Sequence, residues 1–339
     1  MNKRVLLLPL FCLLLLNSSC TDDDEITYGV WERRSDFDGV ARGESCGFML
    51  NGNGYVCCGY EGKNRLNDLW EYNVDGNYWT QKASLPDNVS KRNSAVGFSV
   101  NGKGYITTGY DGNGYLKDTW EYDPSTNTWQ QKDDFPKGRI EALAFAIGDY
   151  GYVGTGYDGN YLKDMYRFDP TASEGNQWTI LNGYGGQKRR GGNAFVINDK
   201  AYIVCGSNNN TYVDDFWVFD PSQAEGKQWE QKRDISDTSD DDYDDDYTSI
   251  VRSDGVCMVI DDKAYLVTGG PGTLLSNYWV YDPQTDLWNN EDFTPFEGST
   301  RKAAVGFSTG TRGFVVTGRT TSTYFDDVWE LLPYEIEED

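Results

Sequence analysis

Six arginines, Arg42, Arg92, Arg139, Arg190, Arg252 and Arg301, recur at intervals of 50, 47, 51, 62 and 49 residues. A planar guanidinium binds carboxylate, sulfate or phosphate through two parallel N–H donors, so these residues are candidate anion contacts. The same fork can pin loop carbonyls and carboxylates, and recurrence in every unit fits that structural duty equally well. A second set is confined to the first half of the chain: Tyr60-Glu61-Gly62, Tyr110-Asp111-Gly112 and Tyr157-Asp158-Gly159. An aromatic face beside a carboxylate supplies what a sugar ring needs, stacking plus fixed polar partners. Tyr60, Tyr110, Tyr157, Asp111 and Asp158 are therefore candidate ligand contacts; the alternative is a tyrosine capping the core and a plain Asp-Gly turn. The corresponding segments later in the chain read Ser207-Asn208-Asn209, Gly270-Pro271-Gly272 and Arg319-Thr320-Thr321.

Other chemistries are excluded by composition. The chain has no histidine, which removes Ser-His-Asp and Cys-His catalysis and His-ligated zinc or copper. Cys46, Cys57, Cys58, Cys205 and Cys257 follow no zinc spacing and read as buried thiols, with a Cys46–Cys58 bridge left open. The acidic run 237–247 (DTSDDDYDDDY) lacks the glycine and terminal glutamate of an EF-hand loop and reads as a solvated insertion. Neither a metal nor a cofactor is expected. With 30 basic against 54 acidic residues the net charge is −24, the wrong sign for a nucleic-acid partner. A hydrophobic fraction of 38% without long apolar runs excludes a multi-span membrane protein.

The first residues read as an address. Lys3 and Arg4 precede an apolar stretch from Val5 to Leu16, too short to span a bilayer comfortably. It ends in Asn17-Ser18-Ser19-Cys20, which resembles the lipobox of bacterial lipoproteins, whose cysteine is acylated. Thr21-Asp22-Asp23-Asp24-Glu25 resembles the acidic tag of Bacteroidetes surface lipoproteins. The resulting division is a signal peptide over 1–19, a lipidated Cys20 with an acidic linker to 27, a folded domain over 28–333 and an acidic tail over 334–339. The implied location is the outer surface of a bacterial outer membrane, with membrane contact only through the lipid.

The arginine intervals belong to a longer repeat. One unit runs Arg92-Asn93-Ser94-Ala95-Val96-Gly97-Phe98, Gly104-Tyr105-Ile106-Thr107-Thr108-Gly109, Leu116-Lys117-Asp118-Thr119-Trp120-Glu121-Tyr122-Asp123-Pro124 and Trp129. Trp70, Trp120, Trp217, Trp279 and Trp329 share one column, with Tyr166 filling the third repeat. Trp79, Trp129, Trp178, Trp229 and Trp288 share another. Trp31 belongs to that second column, so the N-terminus supplies the last strand of the final repeat. Each unit holds four short β-branched and aromatic runs separated by turn signals. The pattern resembles the kelch repeat, and the resemblance implies an all-β, six-bladed β-propeller closed by a strand around Trp31.

In a propeller the innermost strand begins at each arginine, so the six would ring the mouth of the central channel. The loops between strands b and c, and between blades, share that face. In kelch proteins that bind acidic peptides or sialic acid, arginines of this face contact the ligand. The resemblance therefore implies a non-catalytic glycan- or protein-binding module. A mutarotase-like epimerisation with Glu44 or Glu141 as general acid/base is the alternative. Copper radical oxidase activity is excluded by the absence of histidine. The regular Asp68, Asp118, Asp164, Asp215 and Asp327 before strand c read as structural hydrogen-bond acceptors.

Overall fold

The structure, a computed structural model, describes residues 27–336; the expected signal segment, Cys20 and the acidic linker through residue 26, and residues 337–339, lie outside it. Six four-stranded antiparallel sheets follow one another around a central channel. In the first blade strands a to d are Cys46–Leu50, Asn53–Cys57, Leu69–Asn73 and Tyr78–Lys82. The a–b turns place Asn51-Gly52, Asn101-Gly102, Asn198-Asp199 and Asp261-Asp262 at positive φ, as two-residue hairpins require. Among the described residues no helix is long and apolar enough to cross a membrane.

Burial falls from the axis outwards. Strand a alternates between buried and channel-facing residues, strand b is enclosed on both faces, and strand d keeps one face in solvent. Blades interlock through the aromatic of strand a. Phe48 lies flat on Tyr55 of its own blade, centroids 5.3 Å apart and planes 13° apart. Its ring edge also fills the place a Cβ would take at Gly104 of the next blade, 2.3 Å away. A side chain at Gly104 would therefore force the two blades apart.

The last blade is closed as the tryptophan columns predict. Tyr28–Arg33 pairs antiparallel with Val328–Ile336, with Trp31 opposite Leu331. Trp31 is 3% exposed and meets Phe296 edge-on at 4.8 Å. Because Tyr28 pairs with Ile336, residues 334–336 of the expected acidic tail are strand.

Two expectations need adjustment. The acidic insertion is anchored, not simply solvated: Asp244 is buried and accepts bonds from the Thr238 and Ser239 amides and the Ser239 hydroxyl. Tyr247 packs edge-on against Trp279, and its hydroxyl accepts the Trp288 amide at 2.8 Å. The cysteines 46, 57, 58, 205 and 257 are free thiols, so the Cys46–Cys58 bridge is not formed.

Candidate functional site

The recurring arginine is the foundation of the channel mouth rather than its lining. Arg42, Arg92, Arg139, Arg189, Arg252 and Arg301 are each fully buried. Arg92 donates to both oxygens of Asp118 at 2.8 and 2.6 Å and to the Thr108 carbonyl at 3.2 Å. Asp118 also accepts the Trp120 indole N–H at 2.6 Å. Arg42 grips Asp68 and the Cys58 carbonyl in the same way, and Arg139 grips Asp164 and the Thr155 carbonyl. Arg301 is held by Asp327 and Thr317, and Arg189 by Asp215 and Cys205. In the fifth blade Asn277 replaces the aspartate and Arg252 turns to the Ser249, Ile250, Thr268 and Asn277 carbonyls. Burial alone would push the Asp118 carboxyl up, but the Arg92 bonds and charge reverse this and hold it below the ordinary range. Asp68 and Asp327 behave likewise.

The expectation that Arg42, Arg92, Arg139, Arg252 and Arg301 contact a ligand is thereby corrected. Their donors are spent inside the fold, where a buried charge must be paired. The fourth member of the ring is Arg189; Arg190, the expected member, sits one residue further on and opens into the mouth.

Two residues after each buried arginine the chain turns left-handed. Glu44, Ser94, Glu141, Gly191, Asp254 and Ala303 have φ between 50° and 61°. Their backbones close a ring of hydrogen bonds around the channel. Ser94 N donates to Glu44 O, Glu141 N to Ser94 O, Gly191 N to Glu141 O and Asp254 N to Gly191 O. Ala303 N donates to Asp254 O and Glu44 N to Ala303 O, all six bonds being 2.8–3.1 Å long. Every non-glycine member holds a conformation costing about 1–2 kcal/mol, so the ring is a preorganised frame. Carboxylates stand on alternate blades at Glu44, Glu141 and Asp254.

A cavity of about 430 Å³ sits on this ring. Its wall includes the three carboxylates, the cations Arg190, Lys302 and Arg319, the hydroxyls of Ser94 and Ser207, Asn210, and the rings of Tyr161 and Tyr212. Arg319 holds Glu44 tightly, its Nη2 and Nε lying 2.7 and 2.8 Å from Oε1. The other two pairs are loose: Arg190 Nε is 3.3 Å from Glu141 and Lys302 Nζ is 4.0 Å from Asp254. Asp254 leans over the fourth blade, its Oδ1 only 2.4 Å from where a Cβ on Gly191 would lie. Burial, then the nearby Asp254 charge, pushes the Glu141 carboxyl to about 7 against the pull of Arg190. Burial likewise raises Asp254, opposed by Lys302 and Arg190. A carboxyl that titrates near neutrality can exchange a proton with a bound ligand.

From the cavity edge runs an arc of tyrosine rings that meet edge-on or tilted. Tyr324 meets Tyr60 at 6.0 Å, and Arg65 lies over both Tyr60 and Tyr110 at 5.4 and 4.7 Å. Tyr110 leads to Tyr115 at 5.9 Å, Tyr115 to Tyr157 at 6.2 Å, and Tyr157 to Tyr161 at 5.2 Å. Arg190 covers Tyr157 and Tyr161 at 5.2 and 5.5 Å, joining arc to cavity. Tyr60, Tyr110 and Tyr157 are thus on the rim, not in the cavity. Their neighbours Asp111 and Asp158 are turn residues: Asp111 accepts the Asn113 and Gly114 amides, and Asp158 accepts the Asn160 amide and pairs with Lys137. Residue-type reasoning missed Asp254, Lys302, Arg319, Tyr161 and Tyr212. The signal for Asp254 lay in the column two residues after each true ring arginine.

The comparisons with known proteins agree with this architecture. Residues 36–187 match the KLHDC2/KLHL20/DRC7 kelch-repeats domain family, and residues 188–234 match the kelch motif. No curated protein matches the chain. The solved structure of YjhT is similar in fold, with a TM-score of 0.70 and 14% identity over 90% of this chain and 99% of that one. On the repeats, the six-bladed closure and the family matches together, the chain belongs to the kelch-repeat β-propeller family.

Proposed function

We propose that this chain is a non-catalytic binding protein that takes a saccharide, or a saccharide-like segment of a protein ligand, in the channel-mouth cavity and on the tyrosine arc. One observation carries the reading: carboxylates, guanidinium groups and hydroxyls converge on a concave site whose edge is a run of aromatic faces. Fixed polar groups orient a ring that the aromatics cover. The loosely paired Arg190 and Lys302 are free to exchange their carboxylates for an acidic substituent. The lipobox-like Asn17-Ser18-Ser19-Cys20 and the acidic residues after it support tethering at the outer-membrane surface through acylated Cys20. A glycan array probed with the protein tests the reading. Retention of a saccharide family is the expected result, and retention of none contradicts it.

A catalytic reading rests on a single feature, the Glu141 carboxyl poised at about 7 inside the cavity. It would serve as general acid/base in a mutarotase-like exchange of anomers. Acceleration of anomer exchange by substoichiometric protein, followed by NMR, would establish that activity in place of simple binding.

A further inference from the structure

We infer that Cys46, Cys57 and Cys58 form a three-thiolate site for a soft d¹⁰ cation, monovalent copper in particular. The three sulfurs come from the start of strand a and the end of strand b of the first blade, and all lie within 4.8 Å of one another. The Cys57 and Cys58 sulfurs are 3.3 Å apart. A metal–sulfur bond of ~2.3 Å places the corners of a trigonal sulfur site about 4.0 Å apart, within reach of small χ1 adjustments from this arrangement.

The other five blades show that packing alone does not call for sulfur here. The position of Cys46 is Val96, Leu143, Asn193, Val256 or Val305 elsewhere. The position of Cys57 is Thr107, Gly154, Val204, Val267 or Val316. Cys58 corresponds to Thr108, Thr155, Cys205, Thr268 and Thr317, all with the same positive φ. Three thiols therefore meet in one blade, whereas the other five blades together place a single cysteine, Cys205, at these positions.

The surroundings select the ion. Phe48, Leu69, Leu85 and Ala95 pack around the cluster and offer no fourth donor. Zinc prefers a closed tetrahedron, whereas soft thiolates alone suit Cu(I). The cluster lies one residue behind the wall of the channel mouth: Ser45 lines the cavity and donates to the Cys58 carbonyl at 3.0 Å. Copper enters as Cu(I), each ligating thiol releases its proton to solvent, and no electron changes hands.

The test uses the full-length chain with Cys12→Ser and Cys20→Ser, reduced and kept free of oxygen. Cu(I) is titrated in competition with bathocuproine disulfonate while the ultraviolet copper–thiolate absorption is read. One Cu(I) per chain is expected. The variant Cys46→Val/Cys57→Val/Cys58→Thr installs residues that other blades carry, so the fold is retained and its melting temperature checks this. It should take up no stoichiometric Cu(I), while Cys257→Ala binds as the parent does. No stoichiometric uptake by the parent, or equal uptake by the triple variant, overturns the site. An intact mass two hydrogens light after purification from aerobic cells, with no copper uptake on reduction, identifies a disulfide pair instead.

Discussion

Arg92→Met separates the structural duty of the buried arginines from ligand contact. The substitution removes two bonds to Asp118, one to the Thr108 carbonyl and one to the Ser90 carbonyl, and adds no charge. Asp118 is left with the Trp120 indole as its one remaining side-chain donor. Stripping one partner from a buried ion pair costs about 3–5 kcal/mol. The Asp118 side chain retains 22% exposure, so water softens the loss and the lower figure applies. At ~1.5 °C per kcal/mol for a domain of this size, the melting temperature should fall by roughly 5 °C. Adding Asp118→Leu removes the orphaned charge and should recover part of the loss. Calorimetry of the two variants gives these shifts. Affinity of any mouth ligand, measured well below the melting range, should change by less than about twofold, as for independent sites. Arg190→Ala should do the reverse, weakening the ligand while leaving the melting temperature nearly intact. An Arg92→Met protein with native stability and abolished binding would refute the reasoning.

Other expected outcomes follow from the same geometry. Asp68, Asp118 and Asp327 have depressed folded pKa values. Their contribution to stability is complete above the unfolded value near ~4 and is lost as pH falls through the folded values; urea titrations at acid pH should show this, with a shallower slope in Arg92→Met. Glu141 is raised to about 7, so the folded state holds its proton longer and stability falls as pH rises from ~4.3 towards that value. Glu141→Gln should therefore gain on the wild type at about pH 8 and not at ~pH 4 in urea unfolding. Trp31→Ala empties the closure contact with Phe296 and should cost roughly 3–5 kcal/mol by denaturant titration. Gly191→Ala sets a methyl against Asp254 and should destabilise, whereas Ala303→Gly relieves a left-handed alanine and should be neutral or stabilising by up to ~1 kcal/mol.

Repetition made the architecture legible. Two tryptophan columns and the Asn-Gly turns specify strand order, and the lone Trp31 specifies how the circle closes, because each is tied to one place in a four-stranded unit. The regular aspartates before strand c were read correctly as acceptors, since a ligand site has no need of the same carboxylate in five blades. The mouth was harder to read. Perfect recurrence of the arginine marked burial, and only the donors and acceptors around Arg92 and Asp118 reveal it. In the fourth repeat Lys188-Arg189-Arg190 offers adjacent cations one residue apart, and the strand start at Asn193 decides between them. Arg190 thus joined the candidates by a shifted alignment, although the fold does place it in the cavity. Glu44 and Glu141 were found, but Asp254 was not, because its partnership depends on the space left by Gly191. The anchoring of the acidic insertion through Tyr247 and Trp279 is a contact between blades that local charge composition hides.

The central claim is that the mouth cavity, rather than the buried arginine ring or the outer surface, holds the ligand. Its most direct test is isothermal titration of a saccharide retained on the array with wild type and with Arg190→Ala/Lys302→Ala. The account predicts that the double variant keeps its melting temperature and loses most of its affinity, with the remaining binding carried by the tyrosine arc. Unchanged affinity in a folded double variant would place the ligand elsewhere and contradict the account.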